Sequence, residues 1–492
     1  MYTPSFSVWA IVLMLLPISA WAQSRMTNIV CFVRFADESE DVFQHSPAFY
    51  EQLFNAEGEG VNSVYNYFLW SSYGKLQWKS HCFPQTGTET TRVLSYQDKL
   101  KRCELQPYNA TTNPEGYSSY YKATLLEHEL VERVAAWLDT VVPDTLKLDH
   151  LTEGTLDDLT IIYSGNSEKS SSKGILWPHQ DASLLFSTAK VNGCRVRRYL
   201  AVFDNANGYK TLLPQEINTG VLCHEMMHVL GAYDLYTSSG DNSAPVGTWD
   251  LMSNNLNVPQ GFTAYSRWHW GGWMDQIPEL TDDGVYTLYP VGGNSPEKVA
   301  YRIVPSKASS EYFMLEYRKK EGTFESGIPA SGLICYRISR QYQGNLSPAG
   351  HELYIFRQNA TANYAKAVLT SDIGLTEGNT DNSPIKYTYS DGKRAPFSIT
   401  EVGTCGDSIT FRISGLPTNG ITLNESASDI MVYHATQARL EVAGVPSALI
   451  ICYDMNGRIV SQGQDVSHLS PGIYTAVAPL PSGRKAVLKF KR

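Results

Sequence analysis

The stretch His224-Glu225-Met226-Met227-His228-Val229-Leu230-Gly231-Ala232-Tyr233-Asp234 has residue types and spacing suited to chemistry. Side chains four apart on a helix sit one turn apart on the same face, so His224 and His228 can both offer imidazole nitrogen to one ion about 2.0–2.1 Å away. Gly231 lets the chain leave the helix sharply and bring Asp234 round as a third ligand, with a fourth position left for water. An open position implies catalysis rather than a structural ion. Zn2+ held in this way lowers the pKa of bound water to about 7, and Glu225, beside the first ligand, can take that proton as the hydroxide attacks a carbonyl. The same carboxyl can then protonate a leaving amine. Because the metal also stabilises the developing oxyanion, no serine or cysteine nucleophile is required. A bare HExxH arises in roughly one random chain in a hundred of this length, and the added Gly and Asp cut that by a further factor of about 300.

These side chains need elements to hold them. Residues 28–35 read as a largely buried strand and 159–163 as another, while residues 125–141 carry apolar side chains at 126, 130, 134, 137, 138 and 141, the stripe of an amphipathic helix. A second helix is expected from about Pro214 to Leu230, ending at Gly231. Beyond Trp273 the texture changes. Short alternating runs at 286–289, 299–304, 312–317 and 333–338, split by Gly, Pro, Ser and Asn, predict an antiparallel β region over 285–413. After the turn-rich stretch 415–420, a last block has runs at 439–442, 448–453, 473–478 and 486–490, with Asn456-Gly457 as a tight hairpin turn.

The chain has 492 residues, enough for about three domains, and its 42% hydrophobic and 12% aromatic content excludes a disordered chain. A formal charge of -9 gives no general attraction to nucleic acid or anionic lipid. The apolar run 8–16 followed by Ala20-Trp21-Ala22 reads as a signal peptide with a mature start at Gln23, although 1–7 lacks the usual Lys or Arg. No later stretch has the 18 or so apolar residues of a membrane span. The eight cysteines, at 31, 82, 103, 194, 223, 335, 405 and 452, form no CxxC pair. Cys82 and Cys103 flank a polar stretch that a disulfide could close, against the alternative of buried free thiols, which suits Cys31 in its apolar strand.

With Asp in third position, the extended motif resembles the M6 family of secreted metallopeptidases, the immune-inhibitor-A-like branch of the metzincin-type enzymes. Other segments share the likeness: Val64-Tyr-Asn-Tyr-Phe-Leu-Trp-Ser-Ser-Tyr-Gly-Lys-Leu76, Ile175-Leu-Trp-Pro-His179, Gly247-Thr-Trp-Asp-Leu-Met-Ser253 as a methionine turn, and Trp268-His-Trp-Gly-Gly-Trp273, together covering about 28–275. The resemblance implies His224, His228 and Asp234 as zinc ligands, Glu225 as general base and Met252 as the floor beneath the metal. It also implies a twisted, mostly parallel sheet over two long helices. This chain departs from the family at Val229, Leu230, Ala232 and Tyr233, which bears on specificity, and has no tyrosine directly after Met252. Tyr312-Phe-Met-Leu-Glu-Tyr-Arg318 and Ser331-Gly-Leu-Ile-Cys-Tyr336 resemble the β-rich segment that follows the catalytic part in that family. Tyr453-Asp-Met-Asn-Gly-Arg-Ile-Val460, Leu469-Ser-Pro-Gly-Ile-Tyr474 and Leu488-Lys-Phe-Lys-Arg492 are similar to the C-terminal sorting domain of type IX secretion in Bacteroidetes, against the plainer reading of a small β-sandwich accessory domain.

Several residues carry bland alternatives. His179 either borders the cleft or is a packed or surface histidine; His128-Glu129, with Glu132 at the fourth position after His128, reads as a solvated helix face. Asp204-Asn-Ala-Asn-Gly208 alternates oxygen donors as a calcium loop does, but without a downstream bidentate glutamate it reads as a turn, so a Ca2+ requirement has no support. Trp249 and Trp270 read as core of the methionine-turn region, and Cys223 as buried rather than metal-facing. Tyr265 and Trp268 are near enough to Met252 in sequence to shape one side of the cleft.

The expected fold class is α+β, a metzincin-like zinc-peptidase domain with a twisted mostly parallel sheet over helices, followed by β-sandwich-like domains. The expected divisions are a signal peptide at 1–22, a catalytic domain at 23–280, a β-rich accessory domain at 281–414 and a C-terminal sorting domain at 415–492. The expected function is a secreted zinc endopeptidase of the HExxHxxGxxD type, acting on proteins or peptides at the surface of, or outside, a Gram-negative, Bacteroidetes-like cell. Its partners would be those substrates and the type IX secretion machinery, with no nucleic acid and no transmembrane segment after signal removal. The alternatives are a surface-binding protein on a decayed protease scaffold and a zinc hydrolase of non-peptide amides.

Overall fold

The computed structural model describes residues 24–87, 89–166, 175–182, 184, 187–207, 214–237, 245–305, 309–416, 431–434, 437–442, 449–454, 458–479 and 485–492. The expected signal segment and the Asn456-Gly457 turn lie outside the described residues. The chain divides into two compact units, Met1–Leu280 with Val285–Ile413, and Thr281–Gly284 with Ser414–Arg492. The segments expected as a catalytic and a β-rich domain thus share the first unit.

The first part of that unit runs β1 (Ser24–Arg34), α1 (Pro47–Asn55), α2 (Val64–Ser71), β2 (Leu76–Phe83), β3 (Tyr96–Gln97), α3 (Tyr120–Val141), β4 (Asp158–Asn166), β5 (His179–Asp181), a small hairpin of β6 (Lys190–Val191) and β7 (Cys194–Arg195), β8 (Tyr199–Asn207), β9 (Pro214–Glu216), α4 (Thr219–Val229) and α5 (Ala264–His269). One sheet has the order β2-β1-β4-β8-β5, with β3 also on β1 and β9 on β8. From β2 to β8 the pairing is parallel, and β5 closes one edge antiparallel to β8.

Continuous apolar runs form these strands because both faces of the sheet are covered, as parallel sheets require. Side chains alternate between faces. Ile29, Cys31 and Val33 join Leu159, Ile161 and Ala201 in a core with Leu130, Val131, Val134 and Leu138 of α3. Val30 and Phe32 join Ile162, Leu200 and Val202 in the opposite core, with Leu222, Cys223, Met226 and Met227 of α4. Each Val, Leu, Ile, Phe or Met among them contributes about 1.5–3 kcal/mol on burial. Helix α3 begins five residues before the expected stripe, because the Ser119 hydroxyl accepts the Lys122 N–H at 3.3 Å. Helix α4 begins at Thr219 rather than near Pro214, because 214–216 pairs with β8 as β9 and the Asn218 side chain accepts the Val221 N–H at 3.1 Å.

The β-rich segment contains β10 (Gly284–Leu288), β11 (Ala300–Ile303), β12 (Glu311–Arg318), β13 (Gly332–Ser339), β14 (Leu353–Ile355), β15 (Ser398–Thr400) and β16 (Ile409–Ser414). Strands β11 to β14 form an antiparallel sheet in chain order, and β10-β16-β15 a smaller one. Strand β12 is buried at every position, charged residues included. Arg318 reaches Glu316 at 3.2 Å and Glu325 at 2.9 Å, and donates to the main-chain oxygens of Trp249 at 2.8 Å and Gly261 at 3.2 Å. Glu316 in turn accepts the Ala264 N–H at 2.8 Å and the Tyr336 hydroxyl at 2.7 Å. The segment 249–264, with the expected methionine turn, is therefore tied to β12 and β13.

In the second unit, β17 (Met431–His434) pairs with β18 (Arg439–Val442), and β19 (Ile451–Tyr453), β20 (Ile459–Gln462), β21 (Ile473–Pro479) and β22 (Lys485–Lys491) form a sheet of order β20-β19-β21-β22. Leu440, Val442, Ile450, Cys452, Ala476 and Phe490 are in its core. Among the described residues no helix is long and apolar enough to cross a membrane.

Removing one partner of a buried ion pair strands the other charge. Arg318→Ala should therefore lower the unfolding free energy by about 3–5 kcal/mol, read from urea denaturation. A loss under about 1 kcal/mol would show that Glu316 and Glu325 do not depend on it.

Candidate metal centre

Helix α4 presents His224 and His228 one turn apart, with ring centroids 5.1 Å apart and planes at 85°. Each ring is aimed by its Nδ1: that of His224 lies 2.9 Å from the Leu251 oxygen, and that of His228 lies 2.8 Å from the Ala232 oxygen. A carbonyl only accepts, so both Nδ1 atoms carry hydrogen and both Nε2 atoms face the centre. After Val229 the chain turns through Gly231 at φ 95°, a conformation that costs glycine little, and brings Asp234 back. Its Oδ1 stands 3.1 Å from His224 Nε2 and 3.4 Å from His228 Nε2. Among the described residues this trio is the one group of three or more such donors, with all three donor atoms within 4.8 Å of one another. A tetrahedral ion with bonds of about 2.0–2.1 Å sets its ligands about 3.3 Å apart, so the spacing and the donor chemistry fit a divalent cation.

Burial raises the Asp234 carboxyl, but hydrogen bonds from His224 and His228 outweigh it and hold the group well below the usual carboxylate range. Burial lowers His224, while Asp234 and Glu225 pull it up, to about 9. The site therefore offers an ionised carboxylate and polarised imidazoles, and a cation entering it competes with protons.

Three tethers fix the ligand loop. The Leu235 N–H donates to the Met252 oxygen at 2.8 Å, while the Asn345 N–H donates to the Asp234 main-chain oxygen, also at 2.8 Å. Asn345 Nδ2 donates to the Leu235 oxygen at 2.9 Å. Gly344 has no room for a side chain: a Cβ there would lie 2.5 Å from the Asp234 oxygen. Glu352 holds this hairpin loop by accepting the Gly344 N–H and the Tyr265 hydroxyl, the latter at 2.6 Å. Beneath α4, Asp250 accepts the Met252 N–H at 2.9 Å and, with its other oxygen, Thr263 and Ser266, and Met252 packs with Cys223, Met226 and Met227.

The trio opens on a cleft of 680 Å³ that is also lined by Glu225, Glu127, His179, Arg198, Gln343 and Leu346. Glu225, the expected base, is thus beside the metal donors. Trp249 is fully buried and its Nε1 donates to the Tyr364 oxygen at 3.0 Å; Trp270 packs against the same core, and Cys223 is buried there, as their bland readings had it. Tyr265 and Trp268 do not line the cleft; Tyr265 is buried on Glu352.

Three expectations change. His128 is not on a solvated face: its Nε2 lies 3.0 Å from Asp181 on β5. Asp204 is not in a turn but inside β8, where its buried carboxylate accepts the Tyr50 hydroxyl; Gly208 lies outside the described residues. Cys82 and Cys103 are not paired, since all eight cysteines are free thiols. Burial pushes Cys82 up to about 12, while Cys103 lies 3.4 Å from Glu115. Glu127, Gly344, Asn345 and Glu352 carry no local signature, so sequence reasoning passed over them.

Outer partners of metal ligands typically contribute 10–100-fold in metal affinity. Asn345→Ala should weaken zinc binding by about that factor in a chelator competition titration. An unchanged affinity would mean that the Asp234 loop holds itself.

Residues 149–262 match the family model described as immune inhibitor A peptidase M6, catalytic domain. No curated protein matches the chain. The matched span includes β4, β5, β8, α4, the Asp234 loop and Met252, so the part of this chain that is similar to the M6 metallopeptidases carries the donor trio and Glu225, while α3 and the loop with Gln343 and Leu346 add cleft walls from outside it.

Proposed function

We propose that the chain is a zinc-dependent endopeptidase, and the observation that carries this is the convergence of His224, His228 and Asp234 in a cleft shared with Glu225. Zinc held by those three donors supplies Lewis acidity toward a carbonyl and acidifies a water to a pKa of about 7. Glu225 takes the proton released as that water attacks the substrate carbonyl and returns it to the leaving nitrogen. Asp234 keeps the donor set anionic, and the Leu251 and Ala232 carbonyls keep both Nε2 atoms turned inward. A decayed surface-binding scaffold is not favoured, because neither the donor trio nor Glu225 has been lost. Cleft walls from both α3 and the 341–352 loop suit a polypeptide crossing the site rather than a small amide in a closed pocket.

The proposal includes export, with 1–22 as signal, 23–280 and 281–414 as the catalytic and β-rich parts of one working body, and 415–492 as a type IX sorting block. The supports are the 8–16 apolar run, Ala20-Trp21-Ala22 and the similarity of the C-terminal motifs. A Gram-negative cell surface or exterior is the corresponding location.

Glu225→Gln should lower turnover of casein and of quenched peptides by about 10²–10⁴-fold with zinc content unchanged by elemental analysis. Undiminished cleavage would sink the base assignment. Chelation should abolish wild-type turnover and Zn2+ restore it; activity that survives full metal removal would remove the metallopeptidase reading altogether.

A further inference from the structure

His179 is placed where neither burial nor chance surface exposure explains its contacts. It begins β5, the open edge of the main sheet, and β5 packs against α4, the helix that carries Glu225. The His179 ring lines the cleft together with His224 and Glu225. Its Nδ1 lies 2.7 Å from the Trp177 oxygen and must donate there, which fixes the ring. Its Nε2 lies 3.5 Å from Glu127 Oε2, a long contact that ties the imidazole to that carboxylate while leaving the N–H able to be shared with an acceptor in the cleft. Glu127 is only 2% exposed, and its other oxygen is held by the Tyr163 hydroxyl at 3.3 Å.

A carboxylate so deeply buried is costly unless a cation stands beside it. His179 is that cation. Burial pulls its imidazole down, but Glu127, the Trp177 oxygen and Glu225 together lift it to about 9. Among the described residues, Tyr199 of β8 sets its ring edge-on at 6.1 Å, Asp181 on its own strand is engaged by His128 at 3.0 Å, and Arg198 donates to the Val229 oxygen at 2.6 Å.

We propose that His179 is a second catalytic residue, donating an Nε2–H hydrogen bond to the scissile carbonyl oxygen as negative charge develops there, with Glu127 as its positioning residue. The inference rests on the peptidase reading above. When the water oxygen bonds to the carbonyl carbon, the π pair moves to the carbonyl oxygen and meets the His179 N–H, with no proton transferred. When the carbonyl re-forms, the C–N pair leaves with the amine, which takes the proton carried by Glu225. A cationic donor fixed before reaction stabilises the transition state more than the ground state, so its effect falls on kcat.

The test compares wild type, His179→Phe, His179→Gln and Glu127→Gln as full-length, zinc-loaded protein on one quenched peptide. His179→Phe and His179→Gln should each lower kcat by about 10²–10³-fold, with KM within about threefold and zinc content and melting temperature unchanged. Glu127→Gln removes a negative charge beside the imidazole, so the alkaline limb of its kcat profile should move to lower pH by about one unit or more. In chelator-treated wild type, an imidazole NMR signal missing from His179→Phe should titrate near pH 9. A kcat within threefold of wild type in either His179 variant overturns the proposal, as does a loss traced to zinc release or unfolding, or an unmoved alkaline limb in Glu127→Gln. If wild type itself cleaves no peptide, it is the peptidase reading that fails.

Discussion

Everything at the candidate centre depends on one ionised carboxylate standing within 3.4 Å of two imidazole nitrogens inside the protein. Such an arrangement does not persist by attraction alone, because desolvation of all three groups opposes it. It persists here because the backbone leaves the trio little freedom. The helix fixes the histidines, the positive φ of Gly231 fixes the return of the chain, and Met252 and Asn345 hold the returning segment from two sides. A donor set assembled by backbone constraint needs little reorganisation to receive a cation, which is the condition for both tight binding and an open coordination position.

That constraint explains why the β-rich segment is part of the same compact unit. The loop that carries Asn345 is the connection between β13 and β14, and Arg318 and Glu316 of β12 hold Trp249, Gly261 and Ala264. The segment touches the centre at two places: the main chain of the third ligand, and the turn that backs the helix. A sheet buried on both faces keeps such anchors rigid at low cost, whereas a flexible tail would have to lose entropy to make them.

What the sequence made legible was whatever is encoded locally. The i, i+4 spacing of His224 and His228 and the glycine after them are local, as are the apolar runs of β1, β4, β12 and β13, so their places could be read with no partner in view. Asp234 was legible for the same reason, ten residues from His224 and on the far side of a glycine. Misread features depended on distant partners. His128 meets Asp181 53 residues away, Asp204 meets Tyr50 154 residues away, and the residues before Thr219 became a strand because β8 was there to pair with. Asn345 and Glu127 are ordinary polar residues in sequence; only the fold gives one a ligand loop to clamp and the other an imidazole to face.

The position of the cleft follows from the topology. Helices α3 and α4 contribute to cores on opposite faces of the sheet, and across the interior strands their side chains are separated by the sheet itself. Only at an edge can groups from both faces reach the same space, and β5 is the edge strand beside α4. Glu127 from α3 and Glu225 from α4 both act on His179 there, so one short strand of three residues meets acids brought from both faces of the sheet. Like charges in a poorly solvated space repel, and a cation beside either one offsets that repulsion. Glu127 has His179 beside it, and Glu225 lies in the same cleft as His224, His228 and Asp234, so each face of the sheet brings one acid to the edge at β5.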